Sequence, residues 1–186
     1  GSSLPGFSRI ERGDMIMLPD PTTAFIDPFF DRPTLSMFGD IMEVEDKVEP
    51  YSRNPRRVAA AAEASLAKLI KGAKVILGPE FEFYVFDRVN FFQGADSAFY
   101  DLDSSEAMWQ APDDHENLGY KIPSRKGYHI APPMDRIYNL RSEICSMLAQ
   151  VGVKLKYHHH EVGGGGQHEI EVQFAPLLNM ADQSML

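Results

Sequence analysis

Short apolar runs broken by turn chemistry fill the first fifty residues: Met15-Ile16-Met17-Leu18, Pro19-Asp20-Pro21, Thr23-Ala24-Phe25-Ile26 and Asp27-Pro28. With a further candidate strand over Thr34 to Val44, this pattern predicts a small antiparallel sheet, too short to be comfortable alone. The period then changes. Asn54-Pro55 offers a side chain that accepts backbone N–H bonds, followed by a residue tolerated at the first helical position. Val58, Ala61, Ala62, Leu66, Leu69 and Ile70 recur at helical spacing, so a helix with that face inward is expected, ending at Gly72.

Lys74 to Asp87 reads as a strand in which Glu80, Glu82 and Tyr84 share one face and Phe81, Phe83 and Val85 the other, with a bend at Gly78-Pro79. Residues from about 90 to 127 are polar, Asp-rich and poorly periodic, and are expected to form a long loop. A second amphipathic helix follows, with Asp135 near its start, Ile137, Leu140, Ile144, Met147 and Leu148 inward, and a stop at Gly152. Strands over Lys154 to Val162 and Gln167 to Phe174 flank a four-glycine turn, and a last helix begins near Asn179. That helix is expected to be cut off at Leu186, so that the chain stops before its fold does.

Composition narrows the class. With 186 residues, 44% hydrophobic and 24% charged, the chain has enough apolar content for a sizeable core. A net charge of -9 with scattered basic residues argues against a nucleic-acid partner. Arg53, Arg56 and Arg57 form the one basic cluster, expected as a solvated first helical turn. The single Cys145, inside a predicted helix, excludes an internal disulfide framework and reads as a small core residue in a reducing, cytoplasmic setting. No apolar run approaches the ~18 residues of a membrane span.

The chemistry concentrates in the carboxylates. Glu80 and Glu82, two residues apart on a strand, point the same way at roughly 6–7 Å, a spacing that suits two neighbouring divalent ions. The same pattern also fits a strand whose polar face meets water. Glu161 and Glu169 flank the glycine turn, and an antiparallel return brings them to one place, where Glu82 adds a third oxygen donor for Mg²⁺ or Mn²⁺. Contiguous His158, His159 and His160 alternate sides of a strand and cannot all bind one ion, which disfavours zinc, and at least one is expected to be buried and hydrogen-bonded. No Lys-Ser/Thr follows the glycines, so they are not a P-loop.

These residues resemble type I glutamine synthetase. The resemblance rests on Asp14-Met15, Leu18-Pro19-Asp20, Ile26-Asp27-Pro28-Phe29, Arg53-Asn54-Pro55-Arg56, Gly78-Pro79-Glu80-Phe81-Glu82-Phe83, Lys126-Gly127-Tyr128 and the stretch from His158 to Glu169, in that order. It implies an α+β fold: residues 1–50 as the latter part of an N-terminal β-grasp domain, and 51–186 as the first part of a catalytic domain whose antiparallel strands form an incomplete barrel. It further implies ATP-dependent joining of ammonia to glutamate through a γ-glutamyl phosphate.

Carried over by position, Glu82, Glu161 and Glu169 match the ligands of the metal that organises glutamate, with Glu82 and Glu161 counted as catalytic. Glu80 matches one ligand of a second metal against the ATP phosphates. Tyr128 and Phe174 fall where the family contacts the nucleotide. Ser3 and Asp14 match positions facing a neighbouring subunit, and self-association into two stacked hexameric rings is implied. Phe7 and Lys156 depart from the residues many relatives carry, Trp and Glu respectively. Because the ammonium-site Asp and the later metal, phosphate and flap residues of the family are not in this stretch, no synthetase activity is expected from it alone. Gly1-Ser2-Ser3 is either native or a cloning remnant. A glutamate–amine ligase acting on a polyamine, or a non-catalytic structural relative, are the alternatives.

Overall fold

A computed structural model describes residues 15–44, 47–109 and 121–186. Ser3, Phe7, Asp14 and the Gly1 to Ser3 stretch lie outside these described residues. In chain order the elements are strands β1 (Ile16–Pro19), β2 (Phe25–Ile26), β3 (Leu35–Ser36), β4 (Gly39–Val44) and β5 (Val48–Pro50), helix α1 (Pro55–Leu69), strands β6 (Ile76–Leu77), β7 (Glu80–Tyr84), β8 (Arg88–Gln93) and β9 (Ala98–Asp103), helix α2 (Tyr138–Gln150), strands β10 (Leu155–His160), β11 (Gln167–Val172) and β12 (Ala175–Pro176), and helix α3 (Leu177–Gln183). This mixture of helices and antiparallel sheets is the expected α+β class. The described residues fall into two compact units, one running to Gly78 and resuming at Phe174–Leu186, the other Pro79–Gln173.

In the first unit, β1, β4 and β5 form an antiparallel sheet, and β2 pairs with β3. The expected strand over Thr34 to Val44 is therefore two strands in different sheets. Asn54 caps α1 as its sequence suggests, its side chain accepting from the Arg56 N–H at 3.3 Å. The face of α1 differs from expectation: Val58, Leu69 and Ile70 are exposed, while Arg56, Ala59, Ala60, Glu63 and Leu66 are half-buried. Arg56 explains the rotation. Its guanidinium meets Asp20 at 2.7 Å, Asp182 of α3 at 2.9 Å and Asp40 at 3.5 Å, and with its side chain 14% exposed it is an anchor rather than a solvated charge. An ion pair shielded in this way sets the roll of a helix more firmly than alanine-rich apolar spacing does. The last helix starts at Leu177, two residues earlier than expected.

In the second unit, β10, β11 and β7 make an antiparallel sheet in that order, and β8 and β9 a separate hairpin. The hairpin overturns the first part of the expected loop, residues 90–103, while residues 110–120 of that loop lie outside the described residues. Its cross-strand pairs Phe91–Tyr100 and Phe92–Phe99 face each other across the turn at Gly94 to Ser97, and Asn90, Gln93 and Asp101 had masked the alternation. The expected strand from Lys74 to Asp87 is broken at Gly78-Pro79: β6 pairs with β12, whereas β7 joins the larger sheet. On α2 the residue with no exposure is Arg141, while Leu140 is 42% exposed. Buried side chains of this unit include apolar Ala107, Ile122, Val153, Ile170 and Val172, but also Glu106, Asp135, Arg141, His159, His160, Glu161, His168 and Glu169. So polar an interior stands only if its charges are paired or hold an ion.

Replacing Arg56 by Met removes three ion pairs and leaves the carboxylates facing one another. The expected loss is about 2 kcal/mol, read from the urea midpoint, and an unchanged midpoint would show that the acidic cluster needs no cation.

Candidate metal centre

Register decides what shares a face. Glu169 of β11 stands opposite Glu82 of β7 on one side and His159 of β10 on the other, and Glu171 stands opposite Glu80 and Tyr157. Residues directly opposed across antiparallel strands point to the same face, with Cβ atoms about 5 Å apart. Glu161 continues the row one residue past β10, its N–H donating to the Gln167 carbonyl at 2.9 Å. Alternation puts it on the side of His159. All four carboxylates read from the sequence, Glu80, Glu82, Glu161 and Glu169, therefore share one sheet face, although the donor atoms within 4.8 Å of one another there, among the described residues, are those of His159, Glu169 and Glu171. Gln167 ties two parts of it together: its Nε2 donates to Glu82 at 2.9 Å, and its Oε1 accepts from the Gly163 N–H at 2.6 Å.

The glycine turn makes close approach possible. Gly166 has φ +90°, and a Cβ there would meet the Val85 carbonyl oxygen at 2.6 Å, while one on Gly165 would meet Ala107 backbone at 2.7 Å. Gly127 is similarly closed, its missing Cβ lying 2.6 Å from the His160 ring.

Glu161 and Glu169 are buried, whereas Glu80 and Glu82 lie at the open end of the face. Burial, hydrogen bonding to Glu161 and the negative charges of Glu161 and Glu80 push the Glu169 carboxyl up to about 7. Oε2 of Glu161 is buried without a hydrogen-bond partner. His159 stands near both, with Nδ1 3.6 Å from Glu161 and Nε2 3.5 Å from Glu169, beyond good hydrogen-bond distance. A buried carboxylate oxygen without a hydrogen bond, beside a second carboxylate whose ionisation is opposed by burial and like charge, fits a hard divalent cation such as Mg²⁺ or Mn²⁺. Glu171 forms with His159 and Glu169 a set of donor atoms lying within 4.8 Å of one another. Its oxygens, however, already accept from Lys156 Nζ at 2.6 Å and Tyr157 Oη at 2.5 Å, which leaves Glu161 and Glu169 as the oxygens in need of a cation.

Tyr128 and Phe174 are the residues that the resemblance assigns to the nucleotide. Tyr128 lies in the second unit, 60% exposed and edge-on to His159 with ring centres 5.3 Å apart; Phe174 belongs to the first unit and is 71% exposed.

The opposite face of the same sheet is neutral in sum. Arg141 clasps both oxygens of Asp135, at 3.0 and 2.5 Å, and donates to Nδ1 of His158 at 3.2 Å and Nδ1 of His168 at 2.7 Å. Accepting from Arg141 fixes the His168 proton on Nε2, and burial lowers the His168 pKa to about 4, so this ring is neutral. His160 faces an acceptor at each nitrogen, the Glu161 carbonyl at Nδ1 (2.8 Å) and Glu106 at Nε2 (3.1 Å). Both nitrogens must donate, so the ring is an imidazolium. Burial opposes that charge, but the Glu106 contact outweighs it and raises the pKa. Burial likewise opposes the Glu106 carboxylate, yet bonds from His160, the Arg136 N–H and the Gly166 N–H hold it below the usual range. Glu106, His160 and His168 also lie within ligand-like distance. A metal there would need the Nε2 lone pair that the Arg141 contact denies to His168, so the trio is a hydrogen-bonded network. His159, Glu106 and the Asp135–Arg141 pair were not singled out from sequence for these roles; the alternation of the three histidines was the only signal, and it correctly divided them between faces.

Comparison with known proteins gives this geometry a family. Residues 1–44 match the glutamine synthetase beta-Grasp domain, and residues 52–186 match the glutamine synthetase catalytic domain. The chain belongs to the glutamine synthetase family. It is 42% identical over 186 residues to a glutamine synthetase of Aquifex aeolicus, covering all of this chain and 39% of that protein. It is 39% identical over 188 residues to a 3-hydroxylaminophenol mutase of Cupriavidus pinatubonensis, covering 40% of that protein. The fold is similar to that of Plasmodium falciparum glutamine synthetase, with a TM-score of 0.82 at 24% identity, covering 97% of this chain and 36% of the other. The chain thus spans about two fifths of the length of these relatives.

The Glu169 shift gives a sign that can be measured. A folded-state pKa raised from 4.5 to about 7 favours the protonated form, so this contribution to stability is complete below about pH 4.5 and lost as pH rises through 7. A divalent cation binds the ionised form and reverses that loss. Mg²⁺ is expected to raise the melting temperature more at pH 8 than at pH 6, measured against EDTA. An equal gain at both values would mean that Glu169 does not compete with a proton for the ion.

Proposed function

We propose that this chain is part of an ATP-dependent ligase that joins ammonia to L-glutamate through γ-glutamyl phosphate, giving L-glutamine. One observation carries the reading: the buried carboxylates Glu161 and Glu169 share a sheet face with Glu82 and Glu80. In this reading Glu82, Glu161 and Glu169 hold the ion that organises glutamate, and Glu80 contributes to a second beside the ATP phosphates. When bound, divalent ions would neutralise phosphate charge; the γ-carboxylate of glutamate attacks the terminal phosphoryl group of ATP with release of ADP, and ammonia then displaces phosphate from the acyl phosphate.

The side chains themselves position and exclude. Gln167 restrains Glu82 at 2.9 Å, and Lys156 with Tyr157 holds Glu171 out of the donor set. Glu169 must surrender its proton to serve as a ligand. Tyr128 and Phe174 are the assigned nucleotide contacts. A β-grasp portion over residues 1–50, a catalytic portion over 51–186, self-association in double hexameric rings and a cytoplasmic location belong to the same proposal.

Glu82→Gln and Glu161→Gln are each expected to weaken Mn²⁺ binding by at least about tenfold, measured by the disappearance of free-ion electron paramagnetic resonance signal. Equal binding would remove the ligand assignment. Because a relative 39% identical carries the name of a mutase, turnover rather than kinship decides the reaction. The longer polypeptide containing this chain is expected to release ADP with glutamate and ammonia and none with putrescine. The reverse preference would identify an amine ligase, and no ADP with either would overturn the ligase reading.

A further inference from the structure

The residues beneath the carboxylate face have a geometry the proposed reaction does not use. Glu106 is 1% exposed and accepts three hydrogen bonds, from the Arg136 N–H at 2.6 Å on Oε1 and from the Gly166 N–H and His160 Nε2, both at 3.1 Å, on Oε2. Gly166 closes the turn before Gln167, and His160 donates its other proton to the carbonyl of Glu161 at 2.8 Å. One buried carboxylate therefore grips the backbone on both arms of the hairpin, immediately beside Glu161 on one arm and within three residues of Glu169 on the other.

We infer that Glu106 is a positioning residue for the metal centre: acting through His160 and the Gly166 amide, it fixes the separation of the Glu161 and Glu169 carboxylates. The inference rests on the reading that those two carboxylates hold a divalent ion. Strand alternation gives it its form. Glu106 and the rings of His160 and His168 lie on the far side of the sheet from the ligands, so Glu106 touches no ion, and its influence passes through the backbone of residues 160–161 and 166–169. Three features separate this from ordinary packing. Glu106 accepts main-chain N–H groups from two separate segments, its partner His160 bonds through its other ring nitrogen to the carbonyl of a ligand residue, and the missing Cβ atoms of Gly127 and Gly165 let the surrounding backbone close on the network.

Glu106→Gln keeps the shape but has one acceptor oxygen, so whichever way the amide turns its NH₂ faces a donor, either the Arg136 N–H or the Gly166 N–H with His160 Nε2. In Glu106→Gln, Mn²⁺ affinity is expected to fall about 10-fold to 100-fold, with an altered resonance line shape for the ion that still binds, while the folded fraction follows from far-ultraviolet circular dichroism. A folded Glu106→Gln chain with unchanged affinity and line shape would overturn the inference. A second measurement needs no variant: because coupling is reciprocal, saturating Mg²⁺ on the unaltered chain should slow exchange of the two ring protons of His160 and shift its nitrogen resonances more than those of His158, which lies on the same face but bonds to Arg141 and Ser142. His160 resonances indifferent to Mg²⁺ would refute it even if Glu106→Gln failed to fold. If the unaltered chain binds Mn²⁺ no better than Glu161→Gln does, the metal reading has failed instead, and the two failures are thereby distinguished.

Discussion

The pairing of β11 between β7 and β10 is the constraint on which the chemistry depends. With Glu169 opposite Glu82 and His159, like-charged side chains collect on one face, and a slip of one residue would turn Glu169 toward Arg141 and bring His168 up in its place. Several features hold the register. Positive-φ Gly164 and Gly166 shape the turn, Gln167 ties Gly163 to Glu82, and Glu106 fastens Gly166 from below. The apolar residues act in the same sense, because a one-residue slip would also carry the buried Ile170 and Val172 to the carboxylate face.

The two faces solve opposite electrostatic problems. Beneath the sheet, Arg141 and the His160 imidazolium balance Asp135 and Glu106, while His158 and His168 stay neutral because each accepts from Arg141. Above it, Lys156 pairs with Glu171 and Gln167 donates to Glu82, while Glu161 and Glu169 face each other with only the His159 ring, 3.5 to 3.6 Å away, beside them. Had the underside carried spare positive charge, it would have neutralised Glu161 and Glu169 through the thin sheet and weakened their need for a cation. Closing the charge count below preserves the negative potential above.

Much of this was legible in the chain. Strand alternation predicted the shared face of Glu80 and Glu82, and the glycine turn predicted the meeting of Glu161 with Glu169, because both follow from local geometry that the sequence states directly. The rotation of α1 was not legible, since it depends on Asp20 and Asp182, far away in the chain, seizing Arg56. The hairpin of β8 and β9 was hidden for a different reason: its strands are exposed, so Asn90, Gln93 and Asp101 interrupt the apolar pattern at no energetic cost. Glu106 gave no signal at all. A buried charge that finds its partners 30 to 60 residues away looks, in one dimension, like any surface glutamate.

A pair of buried carboxylates works against folding unless something is gained by it, and the position of each here indicates what. Glu169 meets the burden by holding a proton to about pH 7, whereas Oε2 of Glu161 is buried without a hydrogen bond, the His159 ring standing 3.6 Å away. Replacing either by a hydrophobic residue would relieve like-charge repulsion and desolvation together, so the stability of the fold does not account for their presence. The surrounding network is consistent with that view. Gly127, Gly165 and Gly166 give up side-chain packing so that backbone can close around His160 and the turn, and Glu106 is desolvated to hold them there. Local costs of this kind, gathered within one hairpin and its underside, are tolerated where a charged partner returns the free energy on binding, and they mark this sheet face as the part of the molecule shaped by something other than its own stability.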